Sequence, residues 1–269
     1  MSDKVFFSII LPTYNREHKI INAINSVINQ TFENWELIII DNKSTDNTKE
    51  IVKRFKNPKI FFYDIDNKGI IAKSRNYGIY KSNGNYLCFL DSDDWWHKDK
   101  LRFVYEETLN GSSFIYHNHY VVKSNYLLKK KNYSRDLITP VFEDLINNGL
   151  HFATSSVVVE KKKFLQIGCF DEGNEFISWE DYDAWLKFSK LNFNFAFLNK
   201  FLSYITIDNE NSLTNEKKIE NINMFSKKYI LDQNINLPEW CYIELIKSLY
   251  CLNRYNDALV YLKKINYKN

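Results

Sequence analysis

Residues 89–95 read FLDSDDW: an apolar pair, three carboxylates within four positions, then an aromatic residue. Crowding negative charge at the end of an apolar run is costly unless a positive charge sits among the acids. If the segment is extended, Asp91 and Asp93 point to one side, and Ser92 and Asp94 to the other. Two carboxylates on one side make an oxygen-rich site for a hard divalent cation such as Mg²⁺ or Mn²⁺. Such a pair suits an ion whose coordination is completed by the phosphates of a substrate. The alternative is that these acids solvate a loop or cap the helix beginning near His97. A second acidic group, Glu180, Asp181 and Asp183, lies in SWEDYDAWLKFSKL, a segment of helical pattern.

The elements that must position these residues follow from the rest of the chain. VFFSIILPTYN, WELIIIDNKSTD, KIFFYDI and NYLCFL read as strands, and the segments between them carry apolar residues at helical spacing. The strands lack strict alternation, so they are buried on both faces of a mostly parallel sheet covered by helices, an α/β fold. Such sheets bind ligands at the carboxyl ends of their strands. Three polar clusters fall there: PTYNRE, DNKSTD and DSDD.

Beyond residue 100 the rhythm loosens. A helix over roughly 97–109 precedes an aromatic strand, SFIYHNHYVV; PVFEDLINNG is a short helix, and TSSVVVEKKKFLQIGCF a strand and turn. FAFLNKFLSYITI supplies one or two strands, and the chain is helical after about residue 213. LIKSLYCLNRYNDALVYLKKI resembles one helix pair of a tetratricopeptide repeat, without a second copy. It is expected to pack on the main domain or on a second subunit of a homodimer.

Composition excludes several classes. Of 269 residues, 45% are hydrophobic and 26% charged, which rules out wholesale disorder. A net charge of +3 gives no argument for nucleic acid. The four cysteines stand far apart, with neither zinc nor disulfide spacing. No apolar run approaches the length of a membrane span and no leader pattern opens the chain, so a cytoplasmic protein is expected. Lysine runs at 129–131, 161–163, 217–218, 227–228 and 263–264 are solvated faces or a surface for anionic lipid.

Taken in order, FSIILPTYNRE, LIIIDNKSTDNT, AKSRNYG, FLDSDD and WEDYDAWL resemble glycosyltransferase family 2, the inverting nucleotide-sugar transferases of GT-A fold. The resemblance covers roughly residues 5–210. It implies a GT-A domain over 1–212, with a nucleotide-binding half (1–95) and an acceptor-binding half (96–212), and a helical extension over 213–269. It also implies that the charge missing from FLDSDDW is a Mn²⁺ or Mg²⁺ ion bridging the diphosphate of a UDP-sugar. Asp93 would be the direct ligand, and Asp91 would contact the metal, its water or the ribose. Pro12, Thr13, Tyr14 and Ser92 would surround the nucleotide, with Thr13 and Tyr14 at uracil and ribose. Asp41 would accept a hydrogen bond from the base, although a turn beginning the DNKSTD loop also explains it. Arg75 would lie near the base or the phosphates.

Inverting transfer needs a carboxylate to take the acceptor proton. On a helical wheel Glu180, Asp183, Lys187 and Lys190 form one polar stripe, while Asp181 falls between Trp185 and Phe188. A carboxylate facing an apolar pocket is the better base, and the family motif puts the base at the same residue. The alternative is a capping box between Ser178 and Asp181. His151, Trp179 and Glu180 are candidates for the acceptor pocket. Many relatives carry an Arg-x-His segment after the following strand; here Thr206, Ile207 and Asp208 stand there, and Asp208 could take the histidine's place at metal or diphosphate. The resemblance points to transfer of a hexose or N-acetylhexosamine to a lipid-linked glycan in bacterial surface-polysaccharide synthesis, with peripheral contact at the cytoplasmic membrane face. Two other readings are a sugar nucleotidyltransferase, against which the glycine-free LPTYNREHK argues, and a binding protein acting through its C-terminal helices.

Overall fold

The computed structural model describes residues 6–123, 129–173, 177–191, 193–207, 214–231 and 236–265. Strands β1 (Phe7–Thr13), β2 (Trp35–Asp41), β3 (Ile60–Asp64) and β4 (Tyr86–Phe89) pair in parallel in the order β3-β2-β1-β4. Helices α1 (Ile20–Ile28), α2 (Thr48–Arg54) and α3 (Ile71–Lys81) make the crossovers. Every residue of β1, β2 and β4 is buried, which is why their sequences run apolar without alternation. One face packs Ile10, Ile38 and Ile40 against α3, and the other packs Ile9, Leu37 and Ile39 against α1. Gly78 permits the close seat of α3, because a Cβ there would lie 2.6 Å from Ile40 Cδ1.

Past β4 the sheet becomes mixed. A short β5 (Trp95–Trp96), helix α4 (Lys100–Leu109), β6 (Phe114–Lys123), β7 (Lys129–Asn132) and α5 (Val141–Asn148) come next. A single 3-10 turn at Thr154–Ser156 leads into β8 (Val157–Glu160), α6 (Lys161–Gln166), α7 (Glu180–Ser189) and the long β9 (Phe195–Ile207). The order continues β4-β8-β6-β9-β5, with β7 beside β6; β6 and β9 run parallel and the other pairs antiparallel. The lysine run 161–163 opens α6, where a strand and turn were expected. FAFLNKFLSYITI forms one strand, not two.

Helices α8 (Asn215–Tyr229), α9 (Glu239–Cys251) and α10 (Tyr255–Leu262) complete the chain. They do not form a separate body: Ile222, Phe225, Tyr229, Cys241 and Leu245 share one apolar cluster with Tyr182 and Trp185 of α7. The capping box at Ser178 is not formed. Ser178 has φ of 68°, the N-cap is Trp179, and no side chain caps the helix. Among the described residues no helix is long and apolar enough to cross a membrane.

Candidate active site

The carboxyl ends of β1, β2 and β4 border a cleft of about 360 Å³. It brings together Pro12, Thr13, Tyr14 and Ser92, all expected there. Tyr14 is half exposed, and Thr13 is buried with its Oγ1 unpartnered. Arg16, Asn42 and Asn67 are also in the lining; sequence reasoning singled out none of the three, although Arg16 and Asn42 lie in the clusters PTYNRE and DNKSTD. Asn42 Oδ1 accepts the Asn67 N–H at 2.9 Å, and the Asn67 amide donates to Ser74 Oγ at 2.8 Å, so the loop after β3 is hooked to the loop after β2. The signal available was the Asn-Lys-Gly turn at 67–69, where Gly69 takes φ of 77°.

Asp41 is placed differently from the expectation. It is 1% exposed, lies outside the cleft lining, and accepts the Ser44 N–H at 2.8 Å and the Ser44 hydroxyl at 2.5 Å. That is the turn reading of the DNKSTD loop, and burial raises the pKa of Asp41 despite Ser44's two bonds.

The acids at 91–94 are separated by a tight turn rather than by strand alternation: Asp94 N–H donates to Asp91 O at 3.0 Å. Asp91 and Asp93 remain partly exposed, while Asp94 is buried and accepts Ser155 Oγ–H at 2.6 Å and Thr206 N–H at 2.9 Å. Burial, with the charges of Asp91 and Asp93, holds Asp94 well above the usual carboxylate range. Burial and the Asp91 charge also raise the pKa of Asp93, opposed by the Arg16 guanidinium 3.8 Å away. Thr206 fixes the turn a second time by donating its hydroxyl to Asp93 O at 2.6 Å. Asp208 lies outside the described residues.

Among the described residues no three His, Cys, Asp or Glu side chains gather into a metal cage. Asp91 and Asp93 are two carboxylates at a strand end, and Arg16 does not offset the field that raises Asp93. That donor set fits a divalent cation shared with a diphosphate.

Arg75 joins this turn to α7. It is 4% exposed, with Nη2 2.8 Å from Asp91 Oδ1 and Nη1 2.5 Å from Glu180 Oε1. Burial opposes its charge, but the carboxylates of Asp91, Glu180 and Asp181 outweigh it and raise its pKa. Arg75 therefore sits behind the strand-end cleft rather than in its lining. Glu180 is spent on Arg75 and does not line the pocket beside Asp181. The expected polar stripe is interior at its two acids and exposed only at Lys190: Asp183 is fully buried, and its pKa is lowered because bonds from Lys187, Lys228 and the Tyr229 hydroxyl outweigh its burial.

Asp181 opens on a pocket of about 540 Å³ that His151 and Trp179 also line. The aromatic side chains there are Trp179, Tyr182 and Trp240; Trp185 and Phe188, toward which the helical wheel pointed, lie in the core. Thr154 Oγ–H donates to Asp181 Oδ2 at 2.5 Å. The next residue serves the other acids. Ser155 Oγ accepts the Asp91 N–H at 3.0 Å and donates to Asp94, while its carbonyl accepts Lys100 Nζ at 2.7 Å, Trp96 Nε1 at 2.9 Å and Ser203 Oγ at 2.9 Å. Lys100 is fully buried, and burial pushes its pKa down to about 7. One 3-10 turn thus fixes both acidic centres. Sequence reasoning passed over it, although consecutive hydroxyl residues before a VVV strand are a readable polar turn.

The Glycosyl transferase family 2 model matches residues 8–168. A protein of Escherichia coli, the UDP-Glc:alpha-D-GlcNAc-diphosphoundecaprenol beta-1,3-glucosyltransferase WfgD, is 33% identical over 195 residues, covering 71% of this chain and 72% of WfgD. The chain belongs to glycosyltransferase family 2. Its GT-A fold is shared with S. aureus TarS, solved in complex with UDP-GlcNAc, at a TM-score of 0.63 and 20% identity over 91% of this chain and 71% of that one. The mannosyltransferase PcManGT from Pyrobaculum calidifontis, solved with GDP-Man and Mn²⁺, gives 0.63 and 15% identity over 94% and 75%. In this family 2 glycosyltransferase the matched segment ends before α7, so Asp181 and the three C-terminal helices lie beyond it.

Proposed function

We propose that this glycosyltransferase moves a hexose or N-acetylhexosamine, with inversion, from a UDP-sugar to a hydroxyl of a lipid-diphosphate-linked glycan in bacterial surface-polysaccharide synthesis. The observation that carries the reading is the Thr154–Ser155 pair, which fixes the acid turn beside the nucleotide cleft and Asp181 in the neighbouring pocket. The name of WfgD supports the donor and acceptor class, and the complexes of TarS and PcManGT support a nucleotide-sugar donor.

In this reading Thr13 and Tyr14 receive the nucleoside, Tyr14 through its half-exposed ring and Thr13 through the cleft wall it forms. The Asn42 side-chain NH2 is offered to the base, Asn67 is spent on Ser74 and Gly69 in holding the loop, and Asp41 acts through the Ser44 turn that shapes the wall. A Mn²⁺ or Mg²⁺ held by Asp93 and Asp91 would neutralise the diphosphate and stabilise the UDP leaving group. Asp181 takes the proton of the acceptor hydroxyl as its oxygen attacks the anomeric carbon from the face opposite UDP. The Thr154 hydrogen bond holds the Asp181 carboxylate in place for that transfer. Arg75, itself buried, pairs with the partly exposed Asp91 and the buried Glu180 and so preserves the spacing between the two centres.

The lipid-linked acceptor implies peripheral contact with the inner membrane face. Helix α10 exposes Tyr255, Leu259 and Val260 beside Lys263 and Lys264. Lys228 is unsuited to that role, since it is bonded to the buried Asp183. Co-sedimentation with anionic liposomes that Leu259→Asp with Val260→Asp abolishes is the expected result; a chain that never binds liposomes would remove this part of the reading. The function itself is tested with a panel of UDP- and GDP-sugars, each assayed for binding and hydrolysis in Mn²⁺ or EDTA. Metal-dependent binding of one UDP-sugar supports the proposal, and binding of none contradicts it.

A further inference from the structure

The pocket at Asp181 has a wall that the family match does not reach. Its lining comes from three places: residues 148–151, Ser178, Trp179, Asp181 and Tyr182 at the start of α7, and one face of α9 carrying Trp240, Ile243, Glu244 and Lys247. The volume, about 540 Å³, is that of a small-molecule site. The Trp240 indole is held before any ligand arrives. Its Nε1–H donates to Ile146 O at 2.9 Å, and its ring packs 5.5 Å from Phe225 and 6.0 Å from both Trp179 and Tyr182. Gly149, at φ of 71°, lets the loop after α5 lie against that indole, where a Cβ would approach Cδ2 to 3.3 Å. One turn along α9, Ile243 is 37% exposed, and the Glu244–Lys247 pair, 2.7 Å apart, stands at the mouth.

A rigid aromatic and aliphatic wall with hydroxyl- and charge-bearing groups at its rim is complementary to a pyranose, which presents a C–H face and a ring of hydroxyls. We propose that α9 is the acceptor-selecting wall of the enzyme. Trp240 and Ile243 take the apolar face of an acceptor pyranose, and Glu244 and Lys247 bond its outer substituents. The C-terminal extension is then a specificity element rather than an appendage. The inference rests on the transferase reading and deepens it by naming the residues that choose the acceptor.

The test uses the full-length enzyme with UDP-glucose as donor and, as probe, N-acetylglucosamine α-linked through diphosphate to a short alkyl chain. Ile243→Trp fills the pocket from an exposed position, and Trp240→Phe keeps an aromatic ring while removing the indole N–H. Both are expected to raise the acceptor KM by about tenfold or more, equivalent to about 1.4 kcal/mol, while the calorimetric Kd for UDP-glucose stays at the wild-type value. Lys247→Glu is expected to change the ranking of probes that differ at the sugar's outer substituents. An acceptor KM indifferent to both Ile243→Trp and Trp240→Phe, in variants with wild-type thermal midpoints, overturns the assignment of α9 alone. Failure of the wild-type enzyme to bind any UDP-sugar overturns the transferase reading and the inference with it.

Discussion

The strand-end cleft and the Asp181 pocket are built by different means. Side chains between Pro12 and Ser92 make the cleft, from the ends of buried parallel strands and the loops that follow them. The pocket is assembled from segments between Asn148 and Lys247, in loops, the first turn of α7 and a face of α9. Strand register positions the start of the first set, through a ladder such as Thr13 opposite Asp41, and one Asn42–Asn67 bond ties the loops that follow. Long-range side-chain bonds position the second: Thr154 to Asp181, and Arg75 to Glu180 across 105 residues. A ladder shares its load among many backbone bonds, whereas the acceptor side depends on a few specific groups. Substitutions on the acceptor side should therefore damage turnover and stability more sharply, and leave donor binding alone.

Asp181→Asn should show the largest effect. Transfer is expected to fall about a thousandfold, within the range for loss of a general base, with UDP-sugar affinity retained. Equal loss of donor affinity would erase the distinction between the two sides. Arg75→Met comes next, because it leaves Asp91 and Glu180 without their buried partner. The expected loss is about 3–5 kcal/mol, read from the denaturant midpoint; a change under about 1 kcal/mol would mean the two halves are joined elsewhere. For Thr154→Val, removal of a hydrogen bond to a charged group should lower kcat roughly tenfold, with Thr154→Ser restoring it and acceptor KM little changed.

The smallest effect is in pH dependence. Burial holds the His119 imidazole at about 4, below its ordinary 6.5. The unfolded chain takes up that proton first as the pH falls, so the stability this residue contributes is complete above pH 6.5 and is lost toward pH 4. His119→Asn should flatten the decline in thermal midpoint across that window. His117, fully buried and likewise lowered by burial, adds acid sensitivity that the substitution leaves in place.

The same contrast explains what the sequence discloses. The order β1 to β4, the buried strands and the cleft residues Thr13, Tyr14 and Ser92 are legible because apolar runs followed by turn residues encode them locally. Asp181 is legible only in part, since the helical wheel sets it apart from the polar stripe but points it at Trp185 and Phe188, which lie in the core. Asp41 misleads, because a carboxylate at a strand end suits a ligand and a turn equally, and only the Ser44 bonds decide that its oxygens hold the turn. Glu180 misleads for a related reason: a helical wheel gives a direction but cannot reveal that a buried arginine waits there. Thr154, Ser155 and the α9 wall are hidden because their partners lie 27, 61 and more residues away, beyond the reach of any local pattern.

The most direct measurement is calorimetric binding of UDP-glucose in Mn²⁺ and in EDTA to the wild-type enzyme, Asp93→Asn and Asp181→Asn. The account predicts metal-dependent binding to the wild type and to Asp181→Asn, weakened about tenfold or more in Asp93→Asn. Binding equally tight in EDTA, or unchanged by Asp93→Asn, would contradict the assignment of the acid turn to the metal and diphosphate.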